Sequence, residues 1–123
     1  MARILVAEDD AVSRMLVEKC INKYFNGTVV IMSPNGHHAL TTLELNDFDL
    51  LIADIMMPEM NGIELAEIVR GKNKYANLPI IIMSAVRKNL DLPAALLHKK
   101  SYFLYKPINP LKLVEYINSC LDV

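Results

Sequence analysis

The sequence predicts an α/β fold: a single-domain (βα)5 chain wound into one open, doubly wound parallel sheet. Three observations predict it. Short continuous apolar runs alternate five times with stretches of helical periodicity. The connections between runs leave room for a crossover and little else, which makes neighbouring strands parallel. The chain has 123 residues, and at about 150 residues per domain a second domain has no room.

The elements follow in order. Arg3–Ala7 becomes unbroken and apolar after its first residue, as a strand buried on both faces requires. A helix follows, with Val12, Met15, Leu16, Cys20 and Tyr24 read as its inward stripe and Asn26-Gly27 as its stop. Thr28–Met32 is rich in β-branched residues and reads as the second strand. Ser33-Pro34-Asn35-Gly36 is a turn, and the second helix turns Ala39, Leu40 and Leu43 to one face. Leu50–Ala53 is the third strand, Pro58 and Asn61-Gly62 mark a loop, and Leu65, Ile68 and Val69 form a helical stripe that Gly71 ends. Ile80–Met83 is the fourth strand. The stretch Val86–Lys100 holds a helical segment near Pro93–His98, where Pro93 suits a first turn. Tyr102–Tyr105 is the fifth strand. Asn109-Pro110 pairs an N-cap with a first-turn proline, opening a last helix whose stripe is Leu113, Val114, Ile117 and Leu121.

Composition narrows the function. Hydrophobic residues make up 53% and charged residues 22%, which excludes a disordered chain. Thirteen basic against fourteen acidic residues give a net charge of −1, so there is no basic footprint for nucleic acid. The longest apolar runs, such as Ile4–Ala7, fall far short of the roughly 20 residues that a membrane helix needs. Glu8-Asp9-Asp10 interrupts the first run too soon for a signal peptide. A cytoplasmic protein is expected, with neither nucleic acid nor membrane as a direct partner. Cys20 and Cys120 form no CxxC and read as ordinary core or near-surface residues.

An open parallel sheet carries its chemistry outside the carboxyl ends of its strands. There the sequence sets Glu8, Asp9 and Asp10 after the first strand, Asp54 after the third, Ser84 after the fourth and Lys106-Pro107 after the fifth. Singly, each is an ordinary loop residue, and Asp10 reads as the N-cap of the first helix. Together they demand a reason, because carboxylates crowded at one edge repel one another, and an aspartate directly after a buried strand is desolvated as well. A divalent cation among them offsets both costs. Oxygen donors without a His or Cys cluster point to Mg²⁺ or a similar ion, held by one or two carboxylates and water. The chain has no GxGxxG, no GxxxxGK[ST] and no GxSxG, which sets aside dinucleotide, P-loop and serine-hydrolase chemistry. His37, His38 and His98 show no ligand spacing to the acids and read as surface residues.

Four motifs, ILVAEDD (Ile4–Asp10), LLIADIMMPEMNG (Leu50–Gly62), IIIMSA (Ile80–Ala85) and YKP (Tyr105–Pro107), together resemble the receiver domain of two-component response regulators, of the chemotaxis-regulator kind. The resemblance spans essentially the whole chain, residues 1–123, as one receiver domain. It implies a flavodoxin-like sheet of strand order 2-1-3-4-5. It implies that Asp54 is the phospho-acceptor, that Asp9 binds the metal directly with Glu8 acting mainly through water, and that the backbone carbonyl of Met56 is a further ligand for Mg²⁺ or Mn²⁺. Ser84 matches the hydroxyl that bonds the phosphoryl group, Lys106 the lysine that pairs with it, Pro107 the proline after a cis peptide, and Phe103 the aromatic switch position.

The implied function is a phosphorylation-activated signalling switch, supplied by a phosphohistidine on a sensor histidine kinase or a histidine phosphotransfer protein. Such a domain assists its own phosphorylation and is not a turnover enzyme. The chemistry agrees: an ionised carboxylate attacking an anionic phosphoryl group meets charge repulsion, which Mg²⁺ and the Lys106 ammonium offset. The family's output face, formed by the fourth helix, fifth strand and fifth helix, is the expected meeting place for a downstream target. It also suits a phosphorylation-dependent homodimer. Leu90, Leu92, Pro93, Leu96 and Leu97 belong either to that face or to the core.

Departures from the common pattern are Phe103, which lacks a tyrosine hydroxyl, and Lys99-Lys100-Ser101, where Gly-Ala is common. Met56 and Val86 flank the site and cannot orient a water by hydrogen bonding, so a long-lived phosphoryl group is expected. Two other readings are an Mg²⁺-dependent phosphohydrolase with Asp54 as nucleophile and a pseudo-receiver that only binds partners. The first lacks a second Asp two positions on, where Met56 stands. The chain ends at Val123 with no output domain after it, which suits a stand-alone regulator or a module of a longer protein.

Overall fold

Three of the five apolar runs lie in the interior of one parallel sheet, which is why they read as unbroken. The structure, a computed structural model, describes residues 1–85, 96 and 100–121. Its strands are β1 (Arg3–Ala7), β2 (Val29–Ser33), β3 (Leu50–Asp54), β4 (Ile80–Ser84) and β5 (Ser101–Tyr105), in the order β2-β1-β3-β4-β5. All four pairings are parallel, as the resemblance implied. The helices are α1 (Ala11–Tyr24), α2 (Gly36–Leu45), α3 (Gly62–Arg70) and the C-terminal α4 (Pro110–Leu121), with a short 3-10 turn at Asn73–Tyr75. Among the described residues, α4 is the predicted last helix. The predicted segment at 93–98 lies, apart from Leu96, outside the described residues, as do Val86, Leu90, Leu92 and Leu97.

Side chains alternate across the sheet with the period of two that a pleated strand imposes. Leu5, Leu51 and Ile82 face α2 and α3, and Ile4, Ile52 and Ile81 face α1 and α4. Leu96 is buried in the first of these cores, which settles its place. Cys20 is buried and Cys120 half-buried, both as free thiols. His37 and His38 are exposed, as expected. No helix among the described residues is long and apolar enough to cross a membrane.

The α1 stripe differs from the sequence reading at every residue but Cys20. Val17, Cys20 and Ile21 face the sheet, whereas Val12, Met15 and Leu16 are 58%, 46% and 59% exposed. Tyr24 is also exposed. The helix is apolar on two faces, and at about 100° per residue the centre of the triplet at 17, 20 and 21 lies about 140° from that of the triplet at 12, 15 and 16. In α3 the inward residues are Leu65, Ala66 and Val69, and Ile68 is partly exposed.

Strand ends differ too, in a way that bears on function. β2, β3 and β4 each run one residue beyond the predicted apolar run, to Ser33, Asp54 and Ser84. The backbone ladder continues regardless of side-chain polarity. These polar side chains are therefore buried at the sheet edge rather than carried out on loops.

Candidate functional site

The strand order reverses direction between β1 and β3, since α1 leads away to β2 on one side while the chain returns to β3 on the other. A crevice opens at such a switch point, at the carboxyl ends of the strands. Glu8 and Asp9 follow β1 there, and Asp54 ends β3.

Backbone bonds fix the edge. The Glu8 N–H donates to the Ser33 carbonyl at 3.0 Å, the Ile55 N–H to Met83 at 2.9 Å, and the Lys106 N–H to Ser84 at 2.7 Å. The last of these ties the end of β5 to that of β4. The Lys106–Pro107 peptide is cis, as the resemblance implied.

The loop after Asp54 is stitched to α3. The Gly62 N–H donates to the Ile55 carbonyl at 3.1 Å. Asn61 caps α3 through the Glu64 N–H, and Glu64 returns the bond to the Asn61 N–H, forming a capping box. Met60 is buried against Gly36, where a Cβ would come within 2.9 Å of it. Glu59 alone among the described non-glycine residues has a positive φ, 66°. That conformation costs a residue with a Cβ about 1 kcal/mol or more. Glu59→Gly is therefore expected to raise stability by roughly 1 kcal/mol less the extra chain entropy of glycine, read from the urea midpoint.

Side chains converge on one point. Lys106 Nζ lies 2.8 Å from Glu8 Oε1 and 3.1 Å from Asp54 Oδ1. Glu8 is fully buried and Asp54 only 2% exposed. Carboxylate oxygens of Glu8, Asp9 and Asp54 all lie within 4.8 Å of one another, with Asp9 on the exposed side. Burial pushes the Glu8 carboxyl above its ordinary range, against the hydrogen bond from Lys106, which pulls it down. Burial draws the Lys106 ammonium down as well, but its contacts with Glu8 and Asp54 outweigh this and hold it above the ordinary value. Asp10 caps α1, accepting from the Ser13 N–H at 2.8 Å, and that bond holds its carboxyl below the usual range.

The donor set fits a hard divalent cation. Among the described residues, three carboxylates gather at one point and the Lys106 ammonium contacts two of them, Glu8 and Asp54. Asp54 Oδ1 is buried, and among the described residues its one polar contact is the 3.1 Å ion pair with Lys106. A hard cation would meet the carboxylate lone pairs that this single ion pair leaves over.

The other predicted residues sit on β4, on β5 and in the loop after β3. Ser84 is buried at the end of β4, beside the register pair Ser84–Tyr105. Phe103, opposite Ile82, is half-buried against the α2–α3 core. Met56, two residues past Asp54, is 62% exposed. A groove of about 310 Å³ adjoins Lys106 and is lined by Leu16, Val17, Cys20, Met83 and Ile108. The sequence reading passed over two residues that shape the site. Arg14 Nη1 donates to the Glu8 carbonyl at 2.7 Å, and its only signal was a basic residue one turn into α1. Gly62 was read merely as a loop marker.

A family model described as the response regulator receiver domain matches residues 4–118. The chain is 37% identical over 119 residues to an uncharacterized 14.6 kDa protein of Leptolyngbya boryana, covering 96% of this chain and 89% of that one. It is 30% identical over 120 residues to the chemotaxis protein CheY homolog of Campylobacter jejuni, covering 97% and 92%. A crystal structure of a CheY-like response regulator receiver domain protein from Methanospirillum hungatei superimposes with a TM-score of 0.85 at 26% identity, covering 99% and 94%.

Proposed function

This chain belongs to the response regulator receiver family, and on that premise we propose that residues 1–123 form one receiver domain whose Asp54 accepts a phosphoryl group from a partner's phosphohistidine. The observation that supports this most is the Lys106 ammonium beside Asp54 and Glu8, which joins groups 52 and 98 residues from it in the chain.

In the proposed transfer an Asp54 carboxylate oxygen bonds to phosphorus while the phosphorus–nitrogen bond breaks, and the electron pair leaves with the imidazole. Asp9 and Asp54, with Glu8 and the Met56 carbonyl, would hold Mg²⁺ or Mn²⁺, which when bound neutralises charge on the phosphoryl oxygens. Lys106 follows the phosphoryl oxygens as they arrive. The Ser84 hydroxyl donates a hydrogen bond to one of them. Its movement frees space into which Phe103 turns, so that a local gain of about two negative charges biases a surface. The domain promotes its own modification and turns over no external substrate.

The donor is proposed to be a sensor histidine kinase or histidine phosphotransfer protein. The exposed Val12, Met15 and Leu16 on α1, the adjoining apolar groove and exposed Met56 give a protein partner an apolar rim around the acids. The output is proposed to pass through the face of β5 and α4, to a downstream protein or a second phosphorylated copy. Light scattering with and without beryllofluoride tests the dimer.

Incubation with acetyl phosphate and Mg²⁺ is expected to add one phosphoryl mass to the intact protein and none to Asp54→Ala. Addition to both would place the acceptor elsewhere. Met56 offers no hydrogen bond to an attacking water. Met56→Asn is therefore expected to shorten the phosphoryl lifetime several-fold, about 1 kcal/mol in barrier, measured as loss of the labelled species after donor removal. An unchanged or longer lifetime counts against the role given to Met56.

A further inference from the structure

Besides the face it turns to the sheet, α1 carries a second stripe that none of the described residues covers. Val12, Leu16, Lys19 and Lys23 are spaced 4, 3 and 4 apart and all are exposed. At about 100° per residue they fall within a strip roughly 60° wide, with exposed Met15 at its edge and Arg14 and Glu18 off to the side. That alternation of spacings is the seam of a helix that pairs with another helix.

Charge is divided along the stripe. Exposed Asp9 and Asp10 stand at its start, Val12, Met15 and Leu16 fill its middle, and Lys19 and Lys23 end it. Among the described residues no carboxylate pairs with either lysine. Lys23 Nζ lies 5.2 Å from the centre of the exposed Tyr24 ring, a contact that a carboxylate would displace.

Such a surface complements itself. Two copies of α1 laid antiparallel, with a two-fold axis between Met15 and Leu16, bring their apolar residues together. At a rise of about 1.5 Å per residue, the partner's Asp10 then falls between Lys19 and Lys23, about 3 Å along the axis from each. The two acids of each copy meet the two lysines of the other, twice over, and the opposed helix dipoles add to the attraction. A parallel pairing would set lysine against lysine and acid against acid, so charge selects the direction. The apolar surface also continues beyond α1, through the groove lined by Leu16, Ile108 and Pro110, toward exposed Leu111 on α4. The contact can therefore be wider than one helix, as a stable dimer needs.

We propose that α1 is a self-association surface: in the unphosphorylated protein two chains pair antiparallel through Val12, Met15 and Leu16, with Lys19 and Lys23 of each facing the acids that precede α1 in the other. This contact is separate from the one proposed for β5 and α4 and stands without it. Its consequence rests on the proposed function: the paired form covers the apolar rim beside the acids and withholds the chain from a phosphohistidine donor.

Sedimentation of the full chain in EDTA tests the pairing. The wild type is expected to show a reversible monomer–dimer equilibrium whose dissociation constant rises at least about fivefold between roughly 0.05 and 0.5 M salt. Leu16→Asp is expected to be monomeric where the wild type is dimeric. Lys19→Glu combined with Lys23→Glu is expected to raise the dissociation constant about tenfold or more at the lower salt. Leu45→Asp, an equally exposed change on α2, is expected to leave the dimer intact. Mixing Val12→Cys with Lys19→Cys under mild oxidation checks direction: antiparallel α1 helices favour the disulfide between the two variants over links within either one, with wild type as the blank for Cys20 and Cys120. A wild type that stays monomeric at the highest soluble concentration overturns the proposal, as does a dimer that survives Leu16→Asp or one in which like positions cross-link. If the dimer behaves as expected but acetyl phosphate labels no residue, the proposed function fails and the pairing stands.

Discussion

Gly62→Ala is expected to destabilise the protein by about 3 kcal/mol and to displace Asp54 with it. A Cβ at position 62 would lie 2.2 Å from the Asp54 carbonyl oxygen and 2.7 Å from its carbonyl carbon. Both are backbone atoms, so no side chain can swing aside. The Gly62 N–H is also bound to the Ile55 carbonyl, so relief must come from separating the start of α3 from the end of β3. That movement spoils the contact of Asp54 with Lys106. Urea denaturation is expected to show the lower midpoint, and acetyl phosphate labelling of the folded fraction is expected to fall. Gly71→Ala, at the other end of the same helix, is the control. Its Cβ would make ordinary 3.5 Å contacts and its φ is −73°, so it is expected to be neutral or to stabilise by about 0.5 kcal/mol. Equal behaviour of the two variants would falsify the close-approach account.

The contrast between these glycines shows what could be read without coordinates. Both looked like punctuation around one helical stripe. Which one touches another strand depends on how α3 seats on β3, and that is a tertiary fact. Strand identity was legible because β1, β3 and β4 are buried on both faces and had to be apolar throughout. Asp54 and Ser84 were found for the same reason, as polar residues following such runs. That they are the last strand residues, and so buried, was not legible: hydrogen bonding of the backbone sets a strand's end, not the hydropathy of its side chains. The α1 stripe misled because two apolar faces compete on one helix, and only the sheet decides between Val17–Ile21 and Val12–Leu16. The ladder of motifs brought Glu8, Asp54 and Lys106 to one edge, but the Glu8 backbone is fixed by bonds to Arg14 and Ser33, which no pattern in the chain announces.

Lys106→Met is expected to cost about 3 kcal/mol at neutral pH with EDTA present, because it leaves buried carboxylates without their counter-charge. Glu8 would keep only the Asp10 N–H, and Asp54 Oδ1 would lose its one ion pair among the described residues. Removing one partner of a buried pair costs more than removing both, since the penalty belongs to the stranded charge. Adding Glu8→Gln to Lys106→Met is therefore expected to recover a large part of the loss, although each change alone removes the same contact. The cost lies toward the lower end of the usual range because the lysine side chain is 23% exposed, which lets water reach the site. Mg²⁺ is expected to raise the unfolding midpoint of Lys106→Met more than that of the wild type, as a cation held by Asp9 and Asp54 stands in for the missing ammonium and binds only the folded chain. Urea titrations of the two single variants and the double variant, each with EDTA and with Mg²⁺, measure all of these terms. A Lys106→Met protein as stable as wild type in EDTA would mean that the buried acids need no counter-ion from β5. The site would then be held together by its backbone alone.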